Sequence, residues 1–139
     1  MIIYHTYDVK LPTFPKRKIS AWIKSIAAKY DKKIGDIAYI FCSDEKILEI
    51  NKTYLSHNYY TDIITFDYSK ERVISGDLFI SIETVHTNAE KFATPYENEL
   101  NRVMIHGILH LCGICDKCPK ARSVMEDSEN EALDDLFNK

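Results

Sequence analysis

No stretch of this chain approaches the run of about 20 apolar residues that a membrane-spanning helix needs, which argues against a bilayer protein. The N-terminus, Met1-Ile2-Ile3-Tyr4-His5, has neither the basic start nor the apolar segment of a signal peptide, so the expected location is the cytoplasm. Positive charge is not in excess either: 18 Lys and Arg stand against 21 Asp and Glu, a net charge of −3. The molecule as a whole therefore lacks the electrostatic footprint of a nucleic-acid binder, and a polyanion must be met by a local basic patch. Two patches qualify, Lys16-Arg17-Lys18 and the group Lys117, Lys120 and Arg122; the plain alternative is a solvated surface. Cysteine is scarce, and Cys42, Cys112, Cys115 and Cys118 read as thiols rather than disulfides. No linker, repeat or low-complexity segment interrupts the chain, so residues 1–139, 45% of them hydrophobic, are expected to form one domain with a real core.

What is present is a regular alternation of patterns. Residues 2–8 read as a strand. Ile19, Trp22, Ile23, Ile26 and Ala27 recur at helical spacing from Lys16 to Tyr30, after Pro12 and Pro15 break the chain. Ile37 to Cys42 is a short strand rich in β-formers. Ser43 or Asp44 can cap a helix from about Glu45 to Leu55, with Ile47, Leu48, Ile50 and Tyr54 inward. Asp62 to Tyr68 and Val73 to Ile82 read as two strands of a hairpin about Ser69-Lys70-Glu71-Arg72. Three helices follow: Glu83 to Phe92, Tyr96 to Cys112 and Ser123 to Phe137. The expected fold is α+β (mixed α/β), one small mixed sheet of about four strands with about five helices packed on it. Trp22, Phe66, Phe79 and Phe92 are core candidates by spacing. The acidic tail from Glu126 to Asp135 reads as a solvated helix face, with Met125, Leu133 and Leu136 inward.

The most informative stretch is His106-Gly107-Ile108-Leu109-His110, followed by Gly113 and Asp116. Histidines four apart on a helix share a face, close enough for both imidazoles to grip one metal ion. Gly113 can adopt the left-handed conformation that ends a helix and turns the chain back. Asp116 can then supply a third ligand, leaving the fourth position open for water as in catalytic zinc sites. The surroundings sharpen this reading. Leu100 to Cys112 is apolar nearly all round except Arg102, His106 and His110, which form one stripe at spacing four. The bland alternative is a pair of core histidines bonded to their neighbours. Two histidines and a carboxylate suit zinc, although nickel, cobalt or iron would fit.

His106-Gly-Ile-Leu-His110-Leu-Cys-Gly113-x-x-Asp116 resembles the H-G-x-L-H-L-x-G-Y-D-H signature of the YbeY family, zinc-dependent endoribonucleases of bacterial rRNA maturation. Further segments match in order: Ile50-Asn51-Lys-Thr-Tyr54, Thr61-Asp62-Ile-Ile-Thr65-Phe66, Gly76-Asp77-Leu-Phe-Ile-Ser81, and Met125, Glu129 and Leu133 in a closing helix. The resemblance covers roughly residues 45–135. It implies a single zinc ion on His106, His110 and Asp116, single-stranded rRNA of the small ribosomal subunit as substrate, and neither membrane nor DNA as partner. Asn51, Thr61 and Asp62 would line the substrate groove with Lys120 and Arg122; as plain turn and capping residues the first three are equally well explained. His57, in the same loop, reads as an exposed residue without a role. Three departures stand out. Asp116 replaces a family histidine, Ile114 and Cys115 replace Tyr and Asp, and Leu55 replaces an arginine thought to help catalysis. Arg102 or Lys117 could supply the missing cation.

Three rival readings follow from the same residues. The spacing of His106, His110, Gly113 and Asp116 matches zinc peptidases, but those place a glutamate base where this chain has Gly107. A non-catalytic ribosome assembly factor with a bracing metal fits the loss of arginine at Leu55. Cys112-x-x-Cys115-x-x-Cys118 looks like part of a thiolate cluster, which would need a fourth cysteine; Cys112 also fits the apolar helix pattern.

Overall fold

A computed structural model describes residues 1–54, 62–114 and 119–137, except for the side chains of Tyr54 and of residues 119–122. In chain order the elements are β1 (Ile2–Thr6), α1 (Lys16–Lys29), β2 (Lys33–Cys42), α2 (Asp44–Tyr54), β3 (Ile63–Asp67), β4 (Val73–Ser81), α3 (Ile82–Lys91), α4 (Tyr96–Leu111) and α5 (Pro119–Phe137). The strands form one sheet in the order β1-β2-β4-β3. β1 and β4 both run parallel to β2, whereas β3 pairs antiparallel with β4 through the expected hairpin. One mixed sheet with five helices is the α+β architecture the patterning implies.

Alternation along the central strands decides where the core sits. Ile37, Tyr39 and Phe41 of β2 and Ile74, Leu78 and Ile80 of β4 are buried on one face. α1, α4 and α5 cover that face with Ile19, Trp22, Ile23, Met104, Ile108, Met125 and Leu133. Each fully buried Ile or Leu contributes about 1.5–3 kcal/mol relative to exposure. The polar tips inside this core are satisfied: Trp22 Nε1 donates to the Ala132 carbonyl and the Tyr39 hydroxyl to that of Met104, both at 2.8 Å. A smaller cluster of Cys42, Ile47, Ile50 and Ile64, flanked by Phe66 and Phe79, lies with α2.

The differences from the sequence reading have local causes. β1 stops at Thr6 because Asp8 takes a left-handed φ of 57° and turns its carboxylate onto Ser43. β2 begins at Lys33, four residues early, because a register shift between Ile34 and Ile37 hides its first residues from the alternation. Ser43 is the α2 cap, accepting from the Lys46 amide at 3.3 Å, while Asp44 inside the first turn accepts from the Ser81 and Thr84 hydroxyls. α5 starts at Pro119, a residue suited to a first helical turn. Phe92 is not core but 61% exposed, because α3 ends at Lys91 and the apolar spacing Val85, Ala89, Phe92 loses its direction there. The acidic tail is not wholly solvated either, since Glu129 is buried with the apolar stripe of α5.

Candidate functional site

The chemistry gathers on the side of α4 that turns away from the sheet. On the sheet side, Gly107 lets the helix come close: a Cβ there would lie 2.1 Å from Leu78 Cδ2 and 3.0 Å from Ile63 Cδ1. Any side chain in that place would displace Leu78, so the glycine that deprives a peptidase of its glutamate base is also the residue the packing favours. The helix ends as expected at Gly113, with φ of 101°. The Gly113 amide donates to the His110 carbonyl at 3.0 Å and the Ile114 amide to that of Leu109 at 3.1 Å. This paired closure turns the chain sharply one turn beyond His110.

Arg102 and His106 line a groove of about 810 Å3 whose other walls include Asp62, Phe92, Glu99 and Glu129. His110 is half-buried, one turn further along α4. Across the groove, α5 presents Glu129. Its Oε2 accepts from His106 Nδ1 at 2.6 Å, and its Oε1 from Arg102 Nη1 at 2.9 Å. Arg102 Nη2 also donates to Asn130 Oδ1 at 2.6 Å. A buried carboxylate is tolerated only when paired and hydrogen-bonded, and here both oxygens of Glu129 have partners. The effect on His106 is directional: with Nδ1 held by Glu129, Nε2 is the nitrogen a metal would take. Metal-binding histidines are characteristically oriented by such a carboxylate.

Two further carboxylates feel this burial. Desolvation raises the Asp62 carboxyl above its ordinary range against the opposing pull of His106. Glu99, 6% exposed, is raised by burial too, opposed by Arg102 and reinforced by Asp62 and Glu129. Asn51 is buried on α2 and not among the described residues lining the groove. Thr61, Asp116 and Lys117, the side chains of Lys120 and Arg122, and Leu55, His57, Cys115 and Cys118 lie outside the described residues. Accordingly, among the described residues no three His, Cys, Asp or Glu side chains converge on one metal position. Cys112 packs against the core, and burial pushes its thiol up to about 11.

Of the residues singled out from the sequence, Arg102, His106 and Asp62 line this groove, and Glu129, which was given no role, joins them. A signal was available, since Glu129 stands four residues after Met125 and four before Leu133, inside the buried stripe of α5. Phe92, which periodicity assigned to the core, lies instead in the groove lining.

The family model described as Endoribonuclease YbeY matches residues 4–137. A Bacteroides fragilis protein named Endoribonuclease YbeY is 64% identical over 132 residues, 95% of either chain. One of the same name from Porphyromonas gingivalis is 47% identical, covering 95% of this chain and 87% of that one. Among solved structures, the solution structure of a Thermotoga maritima protein superposes with a TM-score of 0.69 at 25% identity, over 99% of this chain and 90% of that one.

Proposed function

The chain belongs to the YbeY endoribonuclease family, and on that premise we propose that it cuts single-stranded ribosomal RNA at the groove beside α4. One zinc ion would be held by His106, His110 and Asp116. The observation that carries this reading is the 2.6 Å bond from His106 Nδ1 to Glu129 Oε2, which aims an imidazole of the family motif with a buried carboxylate. The donor set fits the metal: two imidazoles one helical turn apart and a carboxylate beyond the Gly113 turn. When bound there, zinc supplies Lewis acidity that lowers the pKa of coordinated water and polarises a phosphate oxygen.

The chain's own residues do the positioning. Glu129 fixes the tautomer of His106 so that Nε2 carries the ligating lone pair, and strengthens it as a donor. Arg102 supports this arrangement, its guanidinium holding Glu129 Oε1 and Asn130 Oδ1. It therefore acts through Glu129, and Lys117 is the better candidate for a cation that meets the phosphate. Among the described residues no helix is long and apolar enough to cross a membrane. We place the protein in the cytoplasm as one domain over residues 1–139, acting on the small ribosomal subunit.

Cleavage of a single-stranded rRNA fragment by the zinc-loaded protein, beside His110→Ala, tests the reading. Zinc-dependent cutting that disappears in the variant is the expected result. RNA left intact by a wild-type protein that has bound zinc overturns the enzyme reading in favour of an assembly factor braced by its metal. Equal cutting by both proteins removes His110 from the site.

A further inference from the structure

We propose that Phe92 is a stacking platform for an unpaired nucleobase of the RNA, seated in the groove beside the cleavage site. The proposal rests on reading this groove as the place where RNA is cut. Phe92 is 61% exposed, and among the described exposed large hydrophobic residues it alone lines the groove that holds His106. The part of an exposed phenyl ring that no neighbour covers is apolar surface in water, and burying it against a flat partner is favourable.

The backbone that carries the ring is held in place. Phe92 is the C-cap of α3, its amide donating to the Asn88 carbonyl at 2.9 Å. Ala93 follows with a left-handed φ of 51°, and the Thr94 amide closes back on Ala89 at 3.0 Å. A side chain with two rotatable bonds on a closed turn loses little freedom when a base stacks on it.

Charge decides which part of a nucleotide enters. Asp62, Glu99, Glu126 and Glu129 line the groove against one described cation, Arg102, which is paired with Glu129. Such walls repel a phosphate backbone running along them. Carboxylate and amide oxygens, by contrast, accept from the amino groups of bases, and Glu126 and Asn88 line the same groove as Phe92. The Lys91 ammonium lies over the Phe92 ring, 5.7 Å from its centroid, so the base stacks on the ring's other face and its phosphate meets that charge. The base enters beside Phe92, and of the backbone only the phosphate to be cut approaches His106.

The test compares wild type, Phe92→Ala and Phe92→Trp on a short single-stranded RNA carrying 2-aminopurine. Base–aromatic stacking predicts that Phe92→Ala raises KM on the order of tenfold, with kcat within about twofold. Phe92→Trp should keep KM near wild type, and its new indole should be quenched by the RNA; the native Trp22 is buried and contributes a constant background. An unchanged KM in Phe92→Ala, or an unquenched indole at saturating RNA, overturns the proposal. The 2-aminopurine signal separates it from the activity. Quenching that Phe92→Ala abolishes in a protein that cuts nothing sinks the endoribonuclease reading and keeps the platform. Normal cutting with no effect of Phe92→Ala does the reverse.

Discussion

α4 has two sides that obey different rules. Toward the sheet it presents Gly107, Met104 and Ile108, where what matters is volume against Leu78, Ile63 and their neighbours. Toward the groove it presents Glu99, Arg102 and His106, where what matters is which charge on α5 or near β3 answers each group. One helix thus serves as core and as site at once. The dry side fixes the helix on the sheet, and that rigidity lets Glu129 meet His106 Nδ1 at 2.6 Å. Changes on the first side should move stability, and changes on the second should move metal binding.

Gly107→Ala tests the dry side and carries the largest expected effect. The new methyl gains about 1 kcal/mol in helix propensity. It also overlaps Leu78, which is 0% exposed and has nowhere to go, at an overpacking cost near 3 kcal/mol. The clash wins, and denaturant unfolding of the metal-free protein should show a net loss of about 2 kcal/mol. A variant as stable as wild type would mean that α4 can lift from the sheet, and the two sides would no longer be separable. Next comes Glu129→Gln, which keeps one oxygen acceptor but loses the charge that polarises His106. Zinc affinity, read by competition with a chelator, should fall on the order of tenfold, while the fold survives. Unchanged affinity would make Glu129 a mere clip for Arg102.

The same division explains what the sequence made legible. The dry side was readable because burial has a period: the α4 span, the inward residues of α1 and the strands β3 and β4 all follow from spacing alone. The His106 and His110 pair was readable because both residues lie on one helix. Glu129 was not given its role because its partner is 23 residues away, and a run of acidic residues looks alike whether one of them faces water or a histidine. Phe92 failed for a related reason. Periodicity says which face a residue takes while the helix lasts, and α3 ends one residue too soon.

Glu99→Gln sharpens the comparison with the smallest effect. Glu99 is on the groove side of α4, yet it is as buried as a core residue, so it should carry the cost of its charge. Burial raises its carboxyl in the folded protein, against the opposing pull of Arg102. The native state therefore holds a proton that the unfolded chain has already released, in a window starting at the ordinary carboxylate range and ending at the raised value. Stability from this group is fully present below that window and is lost as pH rises through it. Asp62, raised by the same cause, contributes a slope of the same sign that the substitution leaves in place. Subtracting the Tm-against-pH curve of the metal-free Glu99→Gln protein from that of wild type leaves the Glu99 share together with its coupling to Asp62 and Glu129. The difference should decline as pH increases through the window and then level off, with the glutamine protein at least as stable at neutral pH. A flat difference would mean that Arg102 neutralises Glu99 in full, and the groove side of α4 would then hold its buried carboxylate at no cost to the fold.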